Sequence, residues 1–254
     1  MIREQIEVFF RNLIETTIKA RDENGIVLLD MLTLMMESRG KEGKELSIED
    51  IVSQAFLFFF GGFESTSTLM CFAVHEIAVN PEIHKKLQHE IDQVLEESNG
   101  QAPYEMVNNM KYLDAIISKA LRKYPVAQIM DRVCVKEFEF SPTLLGTKPF
   151  TIKKGEAIWI PVCGLHHDPQ YYKEPEMFDP ERFLGERKKK SELRSLSSIL
   201  GPSMCIGNRF ALMETKVLLF HLLTRCDLKT CKKTPLSLKI AKGSLNMQPE
   251  GASD

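Results

Sequence analysis

Residues 201–210 place one cysteine between two glycines, directly before an amphipathic helical pattern. The segment reads Gly201-Pro202-Ser203-Met204-Cys205-Ile206-Gly207-Asn208-Arg209-Phe210. A helix start carries unpaired backbone N–H groups and the positive end of the helix dipole, and both stabilise a thiolate. The glycines let the backbone approach a flat, bulky group closely. Cys205 therefore suits a thiolate ligand for iron, although a buried structural role is commoner for a lone cysteine.

A second group of chemically capable residues lies inside a long helical pattern. It reads Gly61-Gly62-Phe63-Glu64-Ser65-Thr66. Two adjacent glycines cost a helix ~1 kcal/mol each relative to alanine, so they call for a functional reason. Their missing side chains would open a notch beside the Glu64 carboxylate and the Ser65 hydroxyl, a pair that can relay protons. The alternative is a helix kink with a solvated Glu64.

Composition limits the remaining function classes. The chain has 254 residues, a formal net charge of -2 and 43% hydrophobic residues, which suffice for one sizeable core and give no reason to expect nucleic acid as a partner. Its six cysteines follow neither a CxxC nor a zinc spacing, which indicates reduced thiols in a protein that faces the cytosol. The longest apolar run, Ala55 to Phe63, is shorter than the ~20 residues of a membrane span, so no span is predicted.

Helical patterns dominate the first half of the chain. Ser47, with Asp50 three residues later, predicts the start of a helix that runs to Asn80. The Asn80-Pro81 pair begins the next helix, which stops at Gly100. A third apolar stripe ends at Pro125.

Short strands are predicted after Arg132. Thr151-Ile152 and Ala157–Ile160 are expected to pair as a hairpin around the turn Lys153-Lys154-Gly155. Loops follow up to Ser198, and the final helix is expected to reach Arg225. The order predicts a mainly α (α+β) domain.

Taken together, these segments resemble the cytochrome P450 family. Residues 61–65 resemble its distal-helix motif, Ala/Gly-Gly-x-Glu/Asp-Thr, and residues 201–216 resemble its cysteine-ligand loop and proximal helix. Other matches in the same order are Asn80–Asp92, Leu121–Pro125, Asp131–Cys134, Leu165–Pro169 and the Pro-Glu-Arg-Phe motif in Phe178–Phe183. Residues 58–80 and 208–228 look most like the insect microsomal branch, near its family nine.

The resemblance implies haem as the cofactor, with Cys205 as the axial ligand of the iron. Gly201 and Gly207 would lie against the haem, and Arg132 would bind a haem propionate. The catalytic proton relay would comprise Glu64, Ser65 and Thr66, and the substrate pocket would include Phe60, Phe63, Val126 and Leu245.

The same resemblance implies a monooxygenase that inserts one oxygen atom from O2 into a lipophilic small molecule. Electrons would come from NADPH through NADPH-cytochrome P450 reductase. The basic run Arg187–Lys190 would dock that reductase, or would be no more than a solvated loop. Full-length members would lie on the cytosolic face of the endoplasmic reticulum membrane, held by an anchor expected before Met1. Residues 1–254 would then be the C-terminal portion of a P450 domain, with the anchor and early helices absent.

Three residues depart from the family pattern. Lys119 stands where the family has a Glu that bridges two arginines, here Arg122 and Arg182. Lys119 would place a third cation there. Its repulsion of each arginine would amount to ~4 kcal/mol at a distance of ~4 Å and an effective dielectric of ~20. Ser203 replaces an Arg that would pair with a propionate, and Ser198 replaces a Phe that would shield the thiolate.

These departures leave a rival function open. The chain would then be a non-catalytic, truncated remnant with impaired haem binding, and Lys119 is the feature that favours it. A helical interaction module without a cofactor is a third alternative, but it would need neither the glycine pair nor the cysteine loop.

Overall fold

The computed structural model describes residues 2–38, 46–141, 148–186, 205–238 and 240. The helices are α1 (Ile2–Asn24), α2 (Met31–Met36), α3 (Ile48–Val79), α4 (Pro81–Glu97), α5 (Tyr104–Asn108), α6 (Lys111–Lys123), α7 (Val162–His166) and α8 (Asn208–Leu223). The strands are β1 (Met130–Val133), β2 (Phe138–Phe140), β3 (Phe150–Ile152) and β4 (Ala157–Ile160), and η1 (Pro180–Phe183) is a 3₁₀ turn. This confirms the expected mainly α fold with a small β region.

The chain divides into two compact units, residues 1–65 and 66–254. The first contains α1, α2 and the start of α3, and its core is built on Ile18, Met35 and Ile51. Arg21 joins α1 to the loop before α2, because both of its terminal nitrogens donate to the Asp30 carboxylate, at 2.8 and 2.6 Å. These bonds hold the pKa of Asp30 below its usual range.

The start of α3 follows the sequence prediction. The backbone N–H of Asp50 donates to Ser47 Oγ at 3.1 Å, and the Asp50 carboxylate accepts the Ser47 N–H at 3.0 Å. This reciprocal pair satisfies two N–H groups that have no partner inside the helix. The helix then continues without interruption to Val79, one residue short of the predicted end.

The second unit is organised around α6. Leu113, Ile116, Ile117 and Ala120 are completely buried and pack with residues of α3, α4 and α8. The predicted ends of α4 and α6 are confirmed to within a few residues: α4 ends at Glu97, before Gly100 in the left-handed conformation at φ +81°, and α6 ends at Lys123, before Pro125.

A side chain from α4 caps the start of α6. Glu90 accepts the backbone N–H groups of Tyr112 and Leu113, at 2.8 and 3.0 Å. The N-cap residue of α6 is Met110, whose side chain makes no capping hydrogen bond to these N–H groups. The carboxylate also lies at the positive end of the α6 dipole. Glu90 therefore fixes α6 against α4.

The predicted hairpin is wrong. Strands β3 and β4 exist and the turn between them is present, with Gly155 at φ +91°. However, β4 pairs antiparallel with β1 and β3 pairs antiparallel with β2. The reason lies at Cys134, directly after β1, whose N–H donates to Glu156 O at 2.9 Å and whose carbonyl accepts the Gly155 N–H at 2.7 Å. The turn is thereby bonded to the end of β1, and β1 becomes the partner of β4.

Within the described residues, α3 is the helix with the length and composition of a membrane span. An 18-residue window in it has a mean hydropathy of 1.4. The sequence prediction of no span considered only the uninterrupted run Ala55 to Phe63 and so missed this window. Core helices of water-soluble proteins share these properties, so the finding is weak evidence for a membrane segment.

The Glu90 cap gives a test of the fold. We expect Glu90→Ala to lower the free energy of unfolding by ~1–2 kcal/mol, because two N–H groups at the start of α6 lose their acceptor. Denaturant unfolding measures the change. Glu97→Ala, which removes an exposed carboxylate from the same helix, is the control and should change stability by less than ~0.5 kcal/mol. Equal effects of the two substitutions would contradict the capping role.

Candidate functional site

Two basic side chains of α6 are completely buried. Lys119 and Arg122, one helical turn apart, are both 0% exposed. Charged side chains are almost never fully buried without a partner, so each needs an explanation. The explanation differs between the two side chains.

Arg122 binds backbone carbonyls. Its Nη1 donates to His166 O at 2.7 Å, and its Nη2 donates to Pro175 O. The guanidinium also lies over the ring of Tyr172, with Cζ 5.2 Å from the ring centroid. Arg122 therefore fastens the segment after α7 onto α6.

The Pro-Glu-Arg-Phe turn packs on the same face of α6. Arg182 of η1 donates from Nε to Asp179 Oδ2 at 3.2 Å, and Asp179 also accepts the N–H of Glu181 at 3.1 Å. Arg122 and Arg182 both lie close enough to Lys119 to lower its pKa. The structure thus brings together the three residues that the family resemblance placed in one network.

Lys119 is held as a neutral amine. Burial and, after it, the charges of Arg122, Arg182 and Lys123 together lower its pKa from 10.5 to about 6, against Asp179, which raises it. Lys119 is therefore uncharged at neutral pH, and the repulsion expected from a third cation is absent. Keeping the amine neutral costs the folded state about 5 kcal/mol at pH 7 relative to an exposed lysine.

Sequence analysis missed the carboxylate that serves the end of α6. Glu76, 3% exposed on α3, accepts from Lys123 Nζ at 2.8 Å and from the hydroxyl of Tyr124. The ring of Tyr124 stacks on Phe72 with centroids 4.2 Å apart. Glu76 is the one acidic residue of α3 after Glu64, and this isolated charge in an apolar stretch was the sequence signal that could have revealed it. Glu76 is bonded to Lys123 rather than to Lys119.

The glycine pair lies in an unbroken stretch of α3. A Cβ at Gly61 or Gly62 would meet no described atom within 4 Å. Ser65 Oγ donates to Gly61 O at 2.6 Å, so its hydroxyl is bonded to its own helix. Glu64 is half-buried and Thr66 is buried, at 5% exposure. The helix continues through the pair without a break.

Phe60 and Phe63 belong to an aromatic row on α3. Phe60 stacks on Phe56 at 6.0 Å and Phe63 on Phe59 at 5.9 Å, while 56% and 67% of their surfaces are exposed. Val126, after α6, is half-buried. Leu245 lies outside the described residues. That Phe60, Phe63 and Val126 line a substrate pocket therefore stays a prediction.

Cys205 is exposed and free three residues before α8. Its carbonyl accepts the N–H of Asn208 at 3.3 Å, and Gly207 is the N-cap of α8. Arg132 on β1 is half-buried and donates to its own neighbour, Asp131 O, at 2.6 Å. Gly201, Ser198, Ser203 and the basic run at 187–190 lie outside the described residues.

The discharged lysine predicts a specific pH dependence. Between pH 6 and 10.5 the unfolded chain holds a proton on Lys119 that the folded chain lacks, so stability rises with pH. From about pH 7 to about 8.5, the difference in unfolding free energy between wild type and Lys119→Met should change by up to ~1.4 kcal/mol per pH unit. His166, whose pKa is lowered to about 4, changes charge below this window, and Tyr112, whose pKa is raised to about 12, above it.

Denaturant unfolding of both proteins across this range measures the slope. At pH 7 the methionine variant should be ~1–4 kcal/mol more stable, because a buried unpaired amine is replaced by an apolar group of similar length. Parallel pH profiles for the two proteins would contradict the discharged amine.

Comparison with known proteins identifies the family. A cytochrome P450 family model matches residues 1–253. The chain is 45% identical to cytochrome P450 9e2 of Blattella germanica, over 96% of this chain and 48% of that protein. It is 37% identical to probable cytochrome P450 9f2 of Drosophila melanogaster (96% and 49%) and to cytochrome P450 3A18 of Rattus norvegicus (96% and 48%).

The chain therefore spans about half the length of the curated relatives it matches. The two insect relatives bear family-nine names, which confirms the branch that the sequence resembled. With a match along nearly its whole length, this chain belongs to the cytochrome P450 family.

Proposed function

We propose that this chain supplies the cysteine-ligand portion of a haem-thiolate monooxygenase, with Cys205 as the iron ligand. The observation that carries the proposal is the free, exposed Cys205 at the start of α8 in a chain of this family. Members of the family bind haem iron through a cysteine thiolate.

The surroundings of Cys205 fit a flat apolar cofactor. Ile206 and Phe210 flank the cysteine and expose 87% and 74% of their surfaces. Burying such side chains against an apolar group is favourable by ~1.5–3 kcal/mol each. The carbonyl of Cys205 accepts from Asn208 at the start of α8, and its thiol is free and exposed, so the sulfur is available for a ligand bond.

Haem bound to Cys205 would supply the activation of O2. Arg132 would bind a propionate after its guanidinium leaves the carbonyl of Asp131. On α3, Glu64, Ser65 and Thr66 would carry protons to the oxygen-binding side. To take part, the Ser65 hydroxyl would have to turn away from Gly61 O, to which it donates here, and would then accept a proton on its oxygen while donating its own.

The exposed aromatic row suits a lipophilic substrate, since Phe60 and Phe63 present apolar surface that a nonpolar small molecule would cover. By the family resemblance, NADPH supplies the electrons through NADPH-cytochrome P450 reductase, which the basic residues 187–190 would attract. The corresponding location is the cytosolic face of the endoplasmic reticulum membrane, as in microsomal members.

The absorption spectrum of the reduced protein under carbon monoxide tests whether Cys205 is the iron ligand. Haem-loaded protein should show the red-shifted Soret band that thiolate ligation gives, and Cys205→Ala should lose it. Cys231→Ala, which removes another exposed thiol, is the matched control and should keep the band. Persistence of the band in Cys205→Ala would overturn the assignment.

The coupling of NADPH consumption to product formation tests the proposed proton relay. In a full-length form of the protein, the Glu64→Ala and Ser65→Ala double substitution should raise peroxide release and lower product per NADPH, because proton delivery fails. Ser67→Ala, a neighbouring hydroxyl outside the motif, provides the comparison. If the double variant kept the coupling of wild type, the motif would only shape α3.

One observation favours the alternative function, a non-catalytic remnant. The neutral, buried Lys119 costs stability at the place where the family has an anion. The two functions differ in haem retention: the remnant predicts no thiolate spectrum for this chain even when haem is supplied in excess.

A further inference from the structure

Two buried nitrogen atoms on α6 have no hydrogen-bond acceptor. Among the described residues, neither Lys119 Nζ nor Arg122 Nε has a partner. Both side chains are completely buried and project one helical turn apart. A buried N–H without an acceptor is costly to the folded state, so this pair is unusual and points to a missing acceptor.

The charges around the pair favour an anion. Arg122, Arg182 and Lys123 all act on Lys119 as positive charges. Lys123 is bonded to Glu76 and Arg182 to Asp179, whereas Arg122 donates to backbone carbonyls. Within the part of the chain described, Asp179 is the carboxylate that acts on Lys119, and it already accepts from Arg182 Nε and Glu181 N. Glu176 acts on Arg122, but its side chain is 77% exposed. The acceptor that fits this cluster is therefore negatively charged.

We propose that Lys119 is a carboxylation site, at which the buried amine combines with CO2 to form a carbamate next to Arg122. The nitrogen lone pair attacks the carbon of CO2, an N–C bond forms, and one electron pair of a C=O bond moves onto oxygen. The nitrogen then releases one proton to solvent. Nothing is oxidised or reduced, and the neutral amine becomes an anion.

The environment of Lys119 meets the chemical requirement of this reaction. Only an unprotonated amine attacks CO2, and ordinary lysines with a pKa near 10.5 are almost fully protonated at pH 8. Lys119, with a pKa lowered to about 6, is neutral there. The carbamate oxygens would accept from Arg122 Nε, and their negative charge would lie among cations that now repel one another.

Isotope uptake tests the proposal directly. The full 254-residue chain is equilibrated with ¹³C-bicarbonate at about pH 8, and carbamate carbon is observed by NMR. Alkylation of the carbamate oxygen followed by peptide mass analysis locates it. Besides the carbamate that the N-terminal α-amine forms at this pH, we expect one on Lys119 that is absent in Lys119→Met and retained in Lys111→Met, which removes an exposed lysine from the same helix. No uptake, or uptake unchanged in Lys119→Met, would overturn the proposal.

Thermal unfolding provides a second readout. Bicarbonate should raise the Tm of wild type by ~2–4 °C or more relative to chloride at equal ionic strength, because the carbamate forms only in the folded state. Lys119→Glu carries a permanent anion and Lys119→Met cannot react, so both should show no bicarbonate effect. An equal shift in wild type and Lys119→Met would contradict the proposal, since the effect would then be one of the salt.

Discussion

Arg122 is a completely buried charge whose guanidinium donates to the carbonyls of His166 and Pro175. These acceptors lie 44 and 53 residues further along the chain, so one side chain determines where the segment after α7 runs. Release of both carbonyls would leave a buried cation without an acceptor, which is among the costliest defects in a protein interior. The Pro-Glu-Arg-Phe turn, η1, also packs against α6.

Lys119 shows how the cluster accommodates a charge of the wrong sign. A protonated amine between Arg122 and Arg182 would repel both, and burial prevents solvent from screening the repulsion. Loss of the proton removes the repulsion, at a cost of about 5 kcal/mol at pH 7. Because whole domains are stable by only ~5–15 kcal/mol, this cost is large for the 66–254 unit. Carboxylation of the amine would recover part of it.

Local patterns predicted the helices well, because their signals are local. The Ser47 cap, the Asn80-Pro81 start and Pro125 act within one or two turns, and α3, α4 and α6 begin or end near them. Strand pairing depends on contacts between distant residues, so the Lys153–Gly155 turn was found while its strands were paired wrongly. The 3₁₀ turn and α7 were missed within loops that carry no strong periodicity.

The candidate site was predicted in part. Family resemblance grouped Lys119 with Arg122 and Arg182, and the structure brings them together. The neutral state of Lys119 could not be read from the sequence, since it depends on burial and on the summed field of neighbouring charges. Glu76 was missed because its partners, Lys123 and Tyr124, are 47 and 48 residues away along the chain.

The central claim is that Lys119 is a neutral amine in the folded chain, and its own titration is the most direct measurement. Lysine labelled with ¹³C at the ε-carbon reports protonation by NMR, and comparison with Lys119→Met assigns the signal. In CO2-free buffer the account predicts one lysine that titrates near pH 6, well below the other lysines. A Lys119 signal that titrates with the exposed lysines, near pH 10.5, would contradict the account.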